Sequence, residues 1–118
     1  MAGTEGPLAG VTVVDLTRIL AGPWCTLRLA CVPTPAPHFV LRQCLRASGR
    51  RDLGATVIKV EPETGSGERY GLHSGICYHS GKQSIALDWM NDDDDRATFE
   101  SLLGTADVLV ENCVNHPP

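Results

Sequence analysis

Short apolar runs separated by turn residues set the rhythm of this chain. Val11-Thr-Val-Val-Asp-Leu16 is a β-branched run behind Gly10, and Ala21-Gly-Pro23 soon after it supplies a turn and a proline suited to the first position of a helix. The pattern predicts a strand, a loop and a helix running through Trp24, Leu27 and Ala30. A second β-branched run, Thr56-Val-Ile-Lys-Val-Glu61, predicts a second strand, and Ser84-Ile-Ala-Leu-Asp88 a third. Asn91 is placed to cap a following helix, whose positive end the aspartates 92–95 favour. Phe99, Leu102 and Leu103 fall at helical spacing, and Gly104 predicts the stop. Asp107-Val-Leu-Val-Glu-Asn112 predicts a fourth strand.

Strands of near-continuous apolar character that alternate with helices predict an α/β, Rossmann-like fold. Its sheet is mostly parallel, with helices on both faces. In such sheets ligands bind beyond the carboxyl ends of the strands, which directs attention to residues 18–23, 62–69 and 111–112.

Composition narrows the partners. The 118 residues are the size of one domain, and 42% hydrophobic with 20% charged residues is ordinary for a soluble globular protein. A formal charge of -4 argues against nucleic acid as a partner while leaving small anionic ligands open. No apolar run approaches the roughly 20 residues needed to span a bilayer, so no membrane partner is expected. The start, Met1-Ala-Gly-Thr-Glu-Gly-Pro7, shows neither a charged leader nor an Arg-rich transit pattern. The expected location is intracellular, the cytoplasm first, with the mitochondrion left open. Five cysteines at irregular spacing, without a C-x-x-C pair, read as reduced thiols.

Candidate chemistry is sparse. His73, Cys77 and His79 supply three donors where structural zinc takes four, so no metal site is expected. The run Asp92 to Asp95 reads as a helix start, because cation sites interleave their carboxylates with other residues. Gly65-Ser-Gly67 suggests a dinucleotide fingerprint, but its third glycine falls at 71 instead of 70 and no helix opens after it. The segment is either a flexible loop or one that closes over a coenzyme, with Arg69 as a phosphate partner. Asp15, ending the first strand, is expected to accept hydrogen bonds from loop amides. Lys59 is expected near the surface, paired with a carboxylate. No nucleophile and base can be assembled from separations alone, and no catalytic residue is named.

Four blocks, taken together and in order, resemble the opening of the class III CoA transferases. They are Pro7-Leu-Ala-Gly-Val-Thr-Val-Val-Asp-Leu-Thr-Arg-Ile-Leu-Ala-Gly-Pro23, Asp52-Leu-Gly-Ala-Thr-Val-Ile-Lys-Val-Glu-Pro62, Lys82-Gln-Ser-Ile-Ala-Leu-Asp88 and Ala106-Asp-Val-Leu-Val-Glu-Asn112. The blocks cover most of residues 7–30 and 52–112. The family includes formyl-CoA, carnitine-CoA and succinyl-CoA:dicarboxylate transferases, and alpha-methylacyl-CoA racemase shares its fold. The resemblance implies a Rossmann-like domain that takes coenzyme A or an acyl-CoA as substrate and a carboxylic acid as acceptor, with no covalently bound cofactor. Full-length relatives are interlocked homodimers of ring-shaped subunits. By motif position the resemblance sets Arg18, Ile19, Leu20 and Ala21 along the coenzyme and its thioester, Leu87 beside the adenine, and Asn112 within reach of the coenzyme.

Departures from the family pattern shape the expectation. Pro62 and Met90 stand where many relatives carry an arginine and a lysine, which removes two cations expected to face phosphate. Residues 31–51, with Pro33, Pro35 and Pro37, split a block that is continuous in the family, and read as an insertion, with a functional surface insert as the alternative. After Asn112 the chain ends in Cys113-Val-Asn-His-Pro-Pro118, whereas relatives continue and carry the catalytic aspartate in that continuation. Residues 1–118 are therefore expected to be the amino-terminal part of a family domain, interrupted at 31–51 and inactive alone. A racemase-like fragment and a non-catalytic CoA- or nucleotide-binding module are the alternatives.

Overall fold

The computed structural model describes residues 6–30, 53–64 and 78–112, and the named elements among them are four strands and two helices. In chain order they are β1 (Thr12–Asp15), α1 (Ala21–Leu29), β2 (Thr56–Glu61), β3 (Gln83–Ala86), α2 (Asp93–Thr105) and β4 (Val108–Val110). The strands form one sheet in the order β3-β2-β1-β4, and each neighbouring pair is parallel. This is the α/β, Rossmann-like arrangement expected from the pattern. The order runs outward from β1 to β3 and then returns to place β4 on the other side of β1. The reversal puts a topological switch point between the carboxyl ends of β1 and β4, where open α/β sheets bind ligands.

Alternation along β1 divides the core into two halves. Val13 is buried in a cluster with Ala30, Ala55 and Val57, with Leu29 packed against it, so this face lies under the end of α1. Val14 points the other way and is buried with Val60, Leu87 and Phe99 beneath α2. Trp89 stacks on Phe99 with ring centroids 4.9 Å apart and closes that second half. Each such valine contributes about 1.5–3 kcal/mol by leaving water. Burial on both faces, expected of every strand, holds for β1 and most of β2 only. Gln83, Ser84 and Ala86 of β3 and Val108 and Leu109 of β4 are exposed, because these two strands form the edges of the described sheet.

Several boundaries differ from the expected ones, each for a local reason. Asn91 does not cap α2, which begins two residues later at Asp93; its carboxamide instead donates to the Asp88 carboxylate at 2.9 and 3.2 Å. Asp92 takes the cap instead, with extended backbone and a carboxylate that accepts from the Asp94 and Asp95 amides at 3.0 Å each. Such a cap is worth about 0.5–2 kcal/mol. The expectation that the aspartate run starts a helix is met. Gly104 lies inside α2 and does not stop it; the turn instead ends where Ala106 becomes extended and its amide donates to Leu103 O. Pro23 is the third residue of α1, still within the first turn, where its missing N–H leaves no intrahelical bond unmade.

Residues 31–51 lie outside the described residues, as do Arg69, His73, Cys77 and the Gly65-Ser-Gly67 segment. Their described flanks are adjacent: Ala30 and Ala55 form a parallel bridge, and the Ala55 amide donates to Leu29 O at 2.9 Å. Among the described residues no helix is long and apolar enough to cross a membrane.

Candidate functional site

The loop that leaves β1 crosses the switch point and is held from both sides. On the side of α1 its anchor is Asp15, fully buried at the end of β1. One carboxylate oxygen accepts from the Thr17 amide at 2.8 Å and the Thr17 hydroxyl at 2.5 Å. The other accepts from the Thr26 hydroxyl of α1 at 2.6 Å and from Lys82 Nζ at 2.9 Å. Lys82 also donates to Pro23 O at 3.1 Å and to the Thr26 hydroxyl at 2.7 Å. Thus one carboxylate ties together the end of β1, the first turns of α1 and the residue that precedes β3. Burial pushes the Asp15 carboxyl up, but hydrogen bonds from Thr17, Thr26 and Lys82, together with the Lys82 charge, outweigh it and hold it below the usual carboxylate range.

The expected loop-amide bond to Asp15 is present, and the expected surface position of Lys59 is not. Lys59 is 3% exposed, and its Nζ donates to Thr17 O while lying 3.5 Å from Asp15 Oδ1. Lys59 sits opposite Asp15 in the parallel register of an inner strand, on the face that α1 covers. That placement buries it and at the same time supplies its carboxylate. A buried ion pair of this kind is tolerated because each partner also makes further hydrogen bonds, Lys59 to Thr17 O and Asp15 with Thr17, Thr26 and Lys82. Gly22 permits the close approach of α1 to this cluster, since a Cβ there would overlap the Thr17 side chain.

On the β4 side the loop is held by Asn112. Its Oδ1 accepts from the Arg18 amide at 2.8 Å and its Nδ2 donates to Arg18 O at 2.8 Å. One residue further on, Ile19 takes φ 69, a left-handed backbone that a β-branched residue adopts only against a steric penalty. Non-glycine residues held there cost about 1–3 kcal/mol and cluster at functional sites. The Ile19 side chain is 78% exposed and that of Leu20 is 53% exposed, so the strained turn presents apolar surface outward. Leu20, at the cap position of α1, makes no capping bond with its side chain, and the helix opens directly from this turn.

Of the six residues proposed from the sequence, the structure gathers five. Arg18, Ile19, Leu20, Ala21 and Asn112 form one exposed rim at the switch point. Leu87 also lies just past a strand's carboxyl end, but its side chain is buried with Val14, Val60 and Phe99, and its amide donates to Glu61 O at 2.8 Å. Sequence reasoning gave no role to Lys82 or to the threonines 17 and 26. The available signal was a carboxylate ending an apolar strand, which must find cations once the strand is buried. Met90 is 54% exposed in the turn before α2. Among the described residues no three His, Cys, Asp or Glu side chains converge on a metal position.

Comparisons with known proteins agree on the ancestry. Residues 51–116 match the family described as CoA-transferase family III. The chain is 35% identical over 120 residues to the succinyl-CoA:mesaconate CoA-transferase of Haloarcula hispanica, covering 91% of this chain and 24% of that one. It is 37% identical over 120 residues to the acetyl-CoA:oxalate CoA-transferase of Acetobacter aceti, covering 94% and 25% respectively. Among solved structures, a CAIB/BAIF family protein from Brucella suis superposes with a TM-score of 0.59 at 35% identity, over 92% of this chain and 26% of that one. A hypothetical protein from Mycobacterium tuberculosis gives a TM-score of 0.63 at 29% identity, over 89% and 24%. The chain thus spans about a quarter of the length of the curated relatives it matches.

Proposed function

The chain belongs to CoA-transferase family III, and from that premise we propose that these 118 residues supply the coenzyme-binding portion of an intracellular CoA transferase. The observation that carries this reading is the exposed rim at the switch point, where Arg18, Ile19, Leu20, Ala21 and Asn112 meet. Its chemistry suits a long ligand with an anionic end and an apolar end. Arg18 offers a cation at an exposed position, and Ile19 and Leu20 offer apolar contact. By motif position Leu87 is kept beside the adenine end, its side chain being buried with Val14, Val60 and Phe99.

The reaction proposed for the whole protein moves CoA from an acyl-CoA to a carboxylic acid. An aspartate attacks the acyl carbonyl and expels the CoA thiolate, giving a mixed anhydride. The thiolate then attacks the aspartyl carbonyl, releases the acyl group as its carboxylate, and leaves an aspartyl-CoA thioester that passes CoA to the acceptor. Neither carboxylate group prominent in this structure suits the first step. Asp15 is fully buried and held by four donors, and the aspartates 92–95 sit at the start of α2. We therefore assign binding to residues 1–118, the amino-terminal part of a family domain interrupted at 31–51, and no turnover to them alone.

Calorimetric titration of the 118-residue chain with CoA, paired with mass spectrometry of mixtures of acyl-CoA donors and carboxylic acids, tests both parts. Saturable CoA binding without acyl exchange is expected. Absence of binding would refute the site, and turnover abolished by Asp15→Asn would refute the assignment of catalysis elsewhere.

A further inference from the structure

The Asn112 carboxamide meets a single peptide group pair in both directions, accepting from the Arg18 amide and donating to the Arg18 carbonyl, each at 2.8 Å. The side chain thereby imitates a neighbouring strand at a point where β4 has already ended, 94 residues along the chain from its partner. Just below it, the Leu16 amide donates to Val110 O at 2.9 Å, so the clamp continues the pairing of β1 with β4 past the strands themselves. The clamped residue is the one before Ile19, whose left-handed φ of 69 needs an outside constraint to persist. Both residues of the clamp are exposed, so it adds little to the global stability of the fold.

We infer that Asn112 is a positioning residue: it acts on the coenzyme through Arg18, by fixing the 18–20 turn in the shape that presents Arg18, Ile19 and Leu20 to ligand. This rests on the reading of the rim as the coenzyme site. Its oxygen and nitrogen are each already directed at the Arg18 peptide, which leaves the loop, and not the ligand, as their principal partner.

The test compares Asn112→Ala and Asn112→Asp with the wild-type 118-residue chain. Three quantities are read: amide exchange at residues 18–20, CoA affinity by calorimetry, and the urea midpoint. Asn112→Ala should speed Arg18 exchange and weaken CoA binding, each about tenfold, while the urea midpoint barely moves. Asn112→Asp should behave similarly at neutral pH, where a second carboxylate oxygen faces the Arg18 carbonyl. It should recover Arg18 protection as the pH falls toward about 4, because the protonated acid again has one donor and one acceptor. Unchanged Arg18 exchange in Asn112→Ala overturns the inference. So does weakened binding with unchanged exchange, which would make Asn112 a direct ligand, and so does faster exchange with undiminished affinity. If the wild-type chain fails to bind CoA, the coenzyme reading fails separately; the clamp itself is then decided by Arg18 exchange and by its recovery in Asn112→Asp.

Discussion

Lys82 Nζ lies 2.9 Å from Asp15 Oδ2, with the lysine side chain 1% and the aspartate 0% exposed. The contact joins the entry to β3 with the exit of β1 across the first turns of α1, where Lys82 also meets Pro23 O and Thr26. A charge placed there is sustained by its partners, so the pair is far more costly to break from one side than a surface pair would be.

Lys82→Met keeps the apolar stem and removes the charge, leaving the Asp15 carboxylate with Lys59 at 3.5 Å as its remaining cation. Loss of one partner from a buried pair costs about 3–5 kcal/mol. Urea unfolding followed by tryptophan fluorescence should show a loss in that range. A loss below about 1 kcal/mol would mean that the pair behaves like an exposed one.

The acid stability of the chain should carry the mark of Asp15. Its folded pKa is lowered from the ordinary value of 3.8, so its contribution is fully present above that value and is lost as the pH falls through the lower, folded one. The stability difference between wild type and Asp15→Asn should therefore be level from neutral pH to about 5 and shrink below about 4. Unfolding curves collected across this range check it, and a difference that grows toward acid would reverse the sign assigned here.

Gly22→Ala is expected to destabilise although alanine favours helices. The added Cβ overlaps the Thr17 side chain, which is pinned to Asp15 and cannot step aside cheaply. Overpacking of this kind costs about 1–3 kcal/mol, against the gain of about 1 kcal/mol that a glycine-to-alanine change gives an unhindered helix. A lowered Tm is the expected reading; a raised one would show that α1 shifts freely.

Removal of residues 31–51 should leave the fold intact and raise its Tm. Ala30 and Ala55 are bridged, so Asp52, Leu53 and Gly54 suffice to join them after the deletion. A shorter connection also loses less entropy on closure. A lower Tm in the shortened chain would show that the segment contributes to the fold.

Met90→Lys should tighten CoA binding about tenfold, since the position is 54% exposed and the change restores a cation expected to face phosphate. Added salt should erase most of the gain. Equal affinity of the two chains in low salt would show that this position does not face phosphate.

How much of this was legible in the sequence differs from residue to residue. Thr56–Glu61 stood out because four of its six residues are β-branched and Gly54 and Pro62 flank it, and that signal is local. The rim from Arg18 to Ala21 was also within reach, because the carboxyl end of a parallel strand is a place that strand order alone marks. Cap choice was harder: Asn91 and Asp92 are both capping types, and only the start of α2 at Asp93 decided between them.

By itself, the sequence determined the alternation of strands and helices, the parallel α/β class and the family, since each rests on short-range pattern or on ordered blocks of residues. Only the tertiary structure decided that Lys59 and Lys82, 23 positions apart in the chain, converge on Asp15, that Asn112 closes on Arg18, and that Leu87 turns inward while Ile19 turns out. Those facts depend on which strands become neighbours and in what register, and a buried charge or a reciprocal hydrogen bond takes its meaning from partners that spacing along the chain does not specify.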